Sequence, residues 1–299
     1  MKELNIKDIL ESTSDLTQTK KVWYVAIIGR PNAGKSTFIN ALIWEKVSIT
    51  TNVPQTTRRK VLGIYNDEDS QIIFFDTPGI HKSEKVFNEK INEVAIWSFK
   101  DSELILYFID SSRNTWEEEE YIAEILEMVN KPVLKVYTKL DLKWRITIPE
   151  WKDSVEISSV DKRGFNELLE KVKTFLAEGP LLFPEDYYTK QDIYFRISEI
   201  IREKTFLNTN EELPHSTYIW VEELEDEDEL LKIVAYIYVE SDSQKYIVVW
   251  KAGSLVWKIG KEARLELEGI FEKKVFLALR VKVKKNWRKD EGVVRNILN

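Results

Sequence analysis

Between Gly29 and Ser36 the chain reads G-R-P-N-A-G-K-S, two glycines with four residues between them, followed by a lysine and a hydroxyl. Glycines at this spacing let the backbone curl until its N–H groups point inward, and a helix opening at the lysine aims its positive end at the same place. Lys35 can reach the β- and γ-phosphates of a nucleotide, and the Ser36 hydroxyl can ligate Mg²⁺. Gly29, Asn32, Ala33, Gly34, Lys35, Ser36 and Thr37 are therefore the expected phosphate cradle. Downstream, F-F-D-T-P-G sets Asp76 where its carboxylate holds the magnesium through water and Gly79 where a backbone N–H meets the γ-phosphate. V-Y-T-K-L-D brings Thr138, Lys139 and Asp141. A carboxylate at Asp141 accepts from guanine N1–H and the exocyclic amine, but faces the lone pair of adenine N1, so this residue selects GTP over ATP. The Lys139 stem can lie along the base.

Elements able to position these groups are legible around them. Apolar runs predict strands at Tyr24–Gly29, Val61–Tyr65, Gln71–Phe75, Leu104–Asp110, Val133–Tyr137 and Ser154–Ile157. Helical patterns fall at Lys35–Leu42, Lys85–Phe99, Glu117–Val129 and Gly164–Ala177, which gives an α/β domain with a mostly parallel sheet. A polar turn joins Val61–Tyr65 to the next strand directly, so one edge pair should be antiparallel. Residues 1–20 read as a polar extension with a helical turn near Ile6–Leu10, 21–178 as the nucleotide domain, 179–190 as a linker and 191–299 as a second, α+β domain. In that second domain a helix at Ile193–Phe206 precedes strands Ser216–Glu223 and Leu230–Glu240, then a turn, a helix at Leu255–Phe271 and a strand at Val275–Val283.

Composition excludes several alternatives. With no cysteine the chain has neither disulfides nor thiolate metal sites, and His81 and His215 are too far apart to suggest a zinc centre. No apolar run approaches the ~20 residues of a membrane span, and the first twenty residues are too polar for a signal peptide, so a cytoplasmic protein is expected. Net charge is −7, but residues 191–244 hold 4 Lys/Arg against 14 Asp/Glu and residues 245–299 hold 14 against 6. Either the basic segment meets a polyanion, or the two segments neutralise each other within one fold.

Together the nucleotide motifs resemble the translation-factor-related class of P-loop GTPases. The resemblance implies that P-Q-T-T-R-R is a switch whose Thr57, or alternatively Thr56, completes the magnesium shell, so Lys35, Thr57 and Gly79 are the expected catalytic set and Ser36, Thr57 and Asp76 the metal set. It also implies that backbone N–H groups near Ser158 and Ser159 face guanine O6, and that residues about 46 to 60 and 76 to 95 differ between the GTP and GDP states. Q-T-T-R, D-T-P-G-I-H, F-P-E-D-Y-Y-T, S-E-I-I-R-E-K and V-K-V-K-K-N-W-R, in that order, are similar to the Era family of GTPases from about Val22 to Arg288. That resemblance implies a type II KH domain with element order helix–strand–strand–helix–helix–strand. Its expected partners are GTP and GDP, the 3′ end of 16S ribosomal RNA and the 30S subunit, whose assembly it would assist. The protein should act as a monomer. Weak peripheral membrane contact is associated with the family, although no helix here is basic and amphipathic enough to assert it.

Departures from the family pattern carry their own expectations. Ile80 follows Gly79 where Ras-like enzymes have a water-orienting glutamine, so intrinsic hydrolysis should be slow and raised by a partner, by RNA or by K⁺ held with Asn32. A KH turn needs G-x-x-G, and here Trp250, Lys251, Ala252 and Gly253 occupy it, with Lys258, Lys282, Lys284, Lys285 and Arg288 as further RNA contacts. An indole at Trp250 would distort the turn, which leaves a protein-docking module without RNA binding as the alternative. Trp23, Trp44 and Trp250 all stand where Era-like sequences have glycine, while the chain holds ten of each residue type. A gene whose UGA codons are decoded as glycine, but written here as tryptophan, would produce that pattern.

Overall fold

The computed structural model describes residues 19–82, 86–114, 117–143, 154–210 and 212–298, so the predicted turn near Ile6–Leu10 lies outside the described residues. The chain divides into two compact units, one of residues 1–48 and 59–190, the other of residues 49–58 and 191–299.

The first unit is a sheet of β1 (Thr19–Ile28), β2 (Val61–Asn66), β3 (Ser70–Asp76), β4 (Leu104–Asp110), β5 (Val133–Thr138), β6 (Ser154–Glu156) and β7 (Glu178–Pro180). Its order is β2-β3-β1-β4-β5-β6, parallel except for the β2–β3 pair, and β7 adds to β1 antiparallel. The antiparallel edge pair is the one expected from the short polar turn. β7 falls where the linker was expected to begin. β3 and β4 are buried along their whole length, as strands covered on both faces must be, and they read as nearly unbroken apolar runs. Side chains of alternate parity serve the two faces: Phe74 and Phe108 meet Phe38 of α1 (Lys35–Ile43), which also packs on Phe165 of α4 (Phe165–Phe175). Ile73, Phe75, Ile105 and Tyr107 join Ala95 of α2 (Val86–Trp97) and Ile122 of α3 (Glu117–Glu127) on the other face.

The second unit has α5 (Ile193–Asn208), β8 (Tyr218–Asp226), β9 (Leu230–Val239), α6 (Asp242–Phe271), β10 (Lys274–Val283) and α7 (Glu291–Leu298). Its sheet runs β10-β9-β8, with β9–β10 parallel and β8–β9 antiparallel. Ile197 and Ile201 of α5, Ile233 and Ile237 of β9, and Ile259 and Leu267 of α6 form its core. Where two helices joined by a turn are expected, one helix runs from Asp242 to Phe271, yet Gly253 within it has φ +91°, outside right-handed helical geometry. Residues 49–58 are held in this unit by polar contacts from α5 and from the loop before β8. Arg58 donates to the carbonyls of Thr217 (2.9 Å) and His215 (3.3 Å), its guanidinium lying over the rings of Phe206 and Trp287. Arg202 donates to Thr56 O (2.5 Å), and Glu203 accepts from Thr50 N–H (2.9 Å).

Trp44 ends α1 with φ 63° and a side chain 80% exposed, while its N–H donates to Asn40 O. A left-handed residue at a helix C-terminus is the habit of glycine, and a β-carbon there costs about 1 kcal/mol. Trp44→Gly should therefore raise stability by about 1 kcal/mol, and urea denaturation of the two proteins checks it.

Candidate functional site

α1 begins where the phosphate loop ends because Gly34 takes φ +91°, and from there Lys35 points back over the loop. The Lys35 ammonium donates to Gly29 O (3.0 Å) and Arg30 O (2.9 Å), carbonyls of the loop that should wrap the phosphates. Burial lowers its pKa to about 8, with Asp76 working in the opposite direction. Asn32 sits at φ 62°, so it shapes the loop backbone directly. The Asp76-to-Ile80 stretch passes so close that a β-carbon on Gly79 would lie 2.4 Å from Pro31 N, and Ile80 N–H donates to Gly29 O (3.1 Å). Glycine is thus required at 79 for the two loops to touch. The Ile80 side chain is fully buried in the apolar core.

At the end of β3 Asp76 is completely buried, and Ser36 Oγ donates to its Oδ2 (2.6 Å). Burial pushes this carboxyl up, partly offset by hydrogen bonding from hydroxyls and by the Lys35 charge. Asp76 Oδ1 and the Ser48 hydroxyl are buried without a hydrogen bond of good geometry. An unsatisfied buried carboxylate oxygen beside a hydroxyl is a hard-oxygen donor set that fits Mg²⁺. Thr57 belongs to the second unit, whereas Ser36 and Asp76 belong to the first. The Thr56 hydroxyl donates to Val53 O (2.6 Å) and pairs with Thr51 Oγ1 (2.6 Å).

The base-reading loops follow β5 and β6. Thr138 Oγ1 donates to Ala33 O (2.9 Å), tying the T-K-L-D loop to the phosphate loop. Asp141 is exposed, and Ser158 Oγ donates to its Oδ1 (2.8 Å). Ser158 N–H goes to Arg163 O (3.1 Å), so this N–H is engaged within the loop while the Ser158 hydroxyl meets Asp141. Ser159, half-buried, stands next to it. The Ser158 hydroxyl was missed because nothing in S-S-V-D marks which serine folds back.

In the second unit the basic tail is largely neutralised in place. Lys284 pairs with Asp290 (2.9 Å), Arg288 with Glu240 (2.9 Å), and Lys282 and Lys258 stand 3.9 Å from Glu222 and Glu262. Of the expected RNA-contacting cations whose side chains are described, only Lys285 makes no ion pair among the described residues. The side chains of Trp250, Lys251 and Ala252 lie outside the described set. A cleft of ≈390 Å³ is lined by Asn208, Thr209, Asn210, Gln244, Ile247 and Leu255, the last three on α6. Its polar end, N-T-N at the end of α5, carried no sequence signal beyond a helix stop. Trp287 is fully buried with its indole N–H on Ser216 O (2.9 Å), a packing residue. No helix among the described residues is long and apolar enough to cross a membrane.

A nucleotide that draws Lys35 off its loop carbonyls restores the full ammonium pKa. Above about pH 8 binding must then take up a proton, and affinity should fall as pH rises further. Calorimetry of GDP binding in two buffers of different ionisation enthalpy should show proton uptake above that pH, and Lys35→Met should abolish it.

Known proteins match this architecture along the chain. A family model described as 50S ribosome-binding GTPase matches residues 24–139, and a KH domain model matches residues 212–288. GTPase Era of Borrelia garinii subsp. bavariensis is 42% identical over 93% of this chain and 100% of its own, and GTPase Era of Treponema denticola is 43% identical over 91% and 98%. A crystal structure of Era with MgGDPNP and nucleotides 1506–1542 of 16S ribosomal RNA superposes with TM-score 0.88 at 36% identity, covering 94% of this chain and 100% of its own. A point variant of Aquifex aeolicus Era bound to GDP·AlF₄⁻ gives 0.87 at 36% identity, covering 93% and 100%. With a P-loop GTPase domain, a KH domain and this level of identity along nearly all its length, the chain belongs to the GTPase Era family and is a GTP hydrolase.

Proposed function

We propose that this GTPase is a Mg²⁺-dependent switch that binds small-subunit ribosomal RNA near its 3′ end and assists assembly of the 30S subunit, as a cytoplasmic monomer. Its main support is the whole-length match to an Era structure that itself carries MgGDPNP and a 16S RNA segment. Ser36 and Asp76 would hold the metal, directly and through water, with Thr57 joining them when its segment reaches the γ-phosphate. When bound, magnesium supplies charge stabilisation for phosphoryl transfer to water. Lys35 leaves the Gly29 and Arg30 carbonyls to follow the β- and γ-phosphates, the Gly79 N–H meets the γ-phosphate, and Asp141 reads guanine under the Ser158 hydroxyl. With Ile80 committed to the core, no side chain at that position orients the attacking water, which supports slow intrinsic turnover. A partner, RNA or K⁺ held with Asn32 would accelerate it, and equal turnover in KCl and NaCl would discard the last.

RNA is assigned to the Gly253 turn and the cleft on α6, with Lys251, Lys258, Lys282, Lys284, Lys285 and Arg288 as phosphate contacts. The ion pairs along the tail mean that RNA must compete with Glu240, Asp290 and Glu222 for three of these cations. The glycine-like backbone supports a recoded glycine at 44, whereas Trp23 lies in β1 with its indole N–H on Ala177 O (3.0 Å); recoding at 250 would make the native turn G-K-A-G. Peptide mass spectrometry of the protein from its own cells reads the residue directly, and tryptophan at all three positions would end the idea.

Two measurements test the functional reading. Asp141→Asn should weaken GTP about a hundredfold and improve xanthosine triphosphate, as expected when one hydrogen-bonding carboxylate sets base choice. A 3′-terminal 16S oligonucleotide should bind with a steep salt dependence. No binding at low salt, either by the protein with Trp250 or by its Trp250→Gly variant, would favour a protein-docking second domain.

A further inference from the structure

Asp110 ends β4 with its side chain almost wholly buried, in register with Thr138 at the end of β5. A carboxylate taken out of water needs partners, and the phosphate chemistry described above gives it none. Ser112 fixes one oxygen: its N–H (3.0 Å) and its hydroxyl (2.6 Å) both donate to Asp110 Oδ1. The other oxygen, Oδ2, accepts from the Lys139 ammonium at 2.7 Å and stands 3.5 Å from Arg30 Nη2, with Arg113 at 3.8 Å. Arg30 belongs to the phosphate loop and Lys139 to the base loop. Arg30 is itself buried and also meets Glu119 at 2.9 Å, approaching both carboxylates as ion pairs rather than as aligned hydrogen bonds.

We propose that Asp110 is a positioning residue for guanine nucleotide, one buried carboxylate that sets the Lys139 stem against the base while facing the Arg30 guanidinium of the phosphate loop. The inference rests on the nucleotide site assigned above. Lys139 has a left-handed backbone (φ 65°), so the strand before it does not dictate where its side chain runs. Anchoring the ammonium fixes the stem, and the stem is the surface a purine lies on. Burial alone would raise the Asp110 carboxyl, but hydrogen bonds from Lys139 and Ser112 outweigh it and hold it below the usual carboxylate range. Without that charge, Lys139 loses its anchor and Arg30 loses one of its two carboxylates.

Because the Lys139 stem meets any purine, the loss on removing Asp110 falls on GDP and GTP alike, whereas Asp141 governs which base is chosen. Calorimetry with GDP, GTP and ATP on the full chain tests this with Asp110→Asn, Lys139→Met and the double variant. Asp110→Asn should raise the Kd of GDP and of GTP by about tenfold, the scale of one charge-assisted hydrogen bond, with the preference for GTP over ATP retained. In the Lys139→Met background the same change should cost less than about twofold. An equal loss in both backgrounds would make Asp110 a packing residue and overturn the proposal, as would no loss in either. Should Asp110→Asn fail to fold, Asp110→Glu, which keeps the charge but moves it by one methylene, carries the same cycle. Wild-type protein that does not bind GDP would instead overturn the nucleotide site itself.

Discussion

A carboxylate sealed from water at the end of the third strand is the constraint around which the first unit is arranged. Asp76 is fully buried, and one of its oxygens has no hydrogen bond of good geometry among the described residues. Holding it there requires a hydroxyl from the opening of α1, an ammonium one residue earlier and a strand covered on both faces. Each requirement fixes another part: the helix must start at Lys35, the loop before it must curl, and Gly79 must be bare enough for the following turn to lie on Pro31. A cation and a polyphosphate complement this arrangement, so the groups that burial destabilises in the protein alone are the ones that binding rewards.

The nucleotide-binding half was readable because its chemistry is local. The G-R-P-N-A-G-K-S loop, Asp76 and Asp141 each sit within a few residues of a strand end, and short apolar runs announce the strands. The parallel sheet followed from strands alternating with helices, and its antiparallel edge from one short polar turn. What sequence did not disclose is long-range or conformational. The strand at Glu178–Pro180 pairs with residues 19–21, and no pattern in E-G-P predicts a partner so distant. Backbone N–H groups near Ser158 and Ser159 were expected to face the base, and of these the Ser158 N–H donates to Arg163 O, a detail of loop closure that composition does not encode.

The second unit shows why charge counts mislead. A run of acidic residues on β8 and a run of basic ones around β10 suggest a surface prepared for a polyanion. Folding places several of these charges opposite partners instead, Arg288 with Glu240 and Lys284 with Asp290. Exposed pairs of this kind contribute little to stability and exchange readily with other ions, so neutralisation and RNA binding are compatible.

The second unit is assembled from two stretches far apart in the chain. Translation releases residues 49–58 long before α5 and the loop before β8, which hold them, exist. Arg58 reaches its aromatic enclosure only after Trp287 has left the ribosome. Until then that short stretch has no permanent place, and a chain interrupted before Trp287 would leave a buried-type arginine in open water. Synthesis of the second domain is thus registered far upstream, in the very segment assigned to respond to nucleotide.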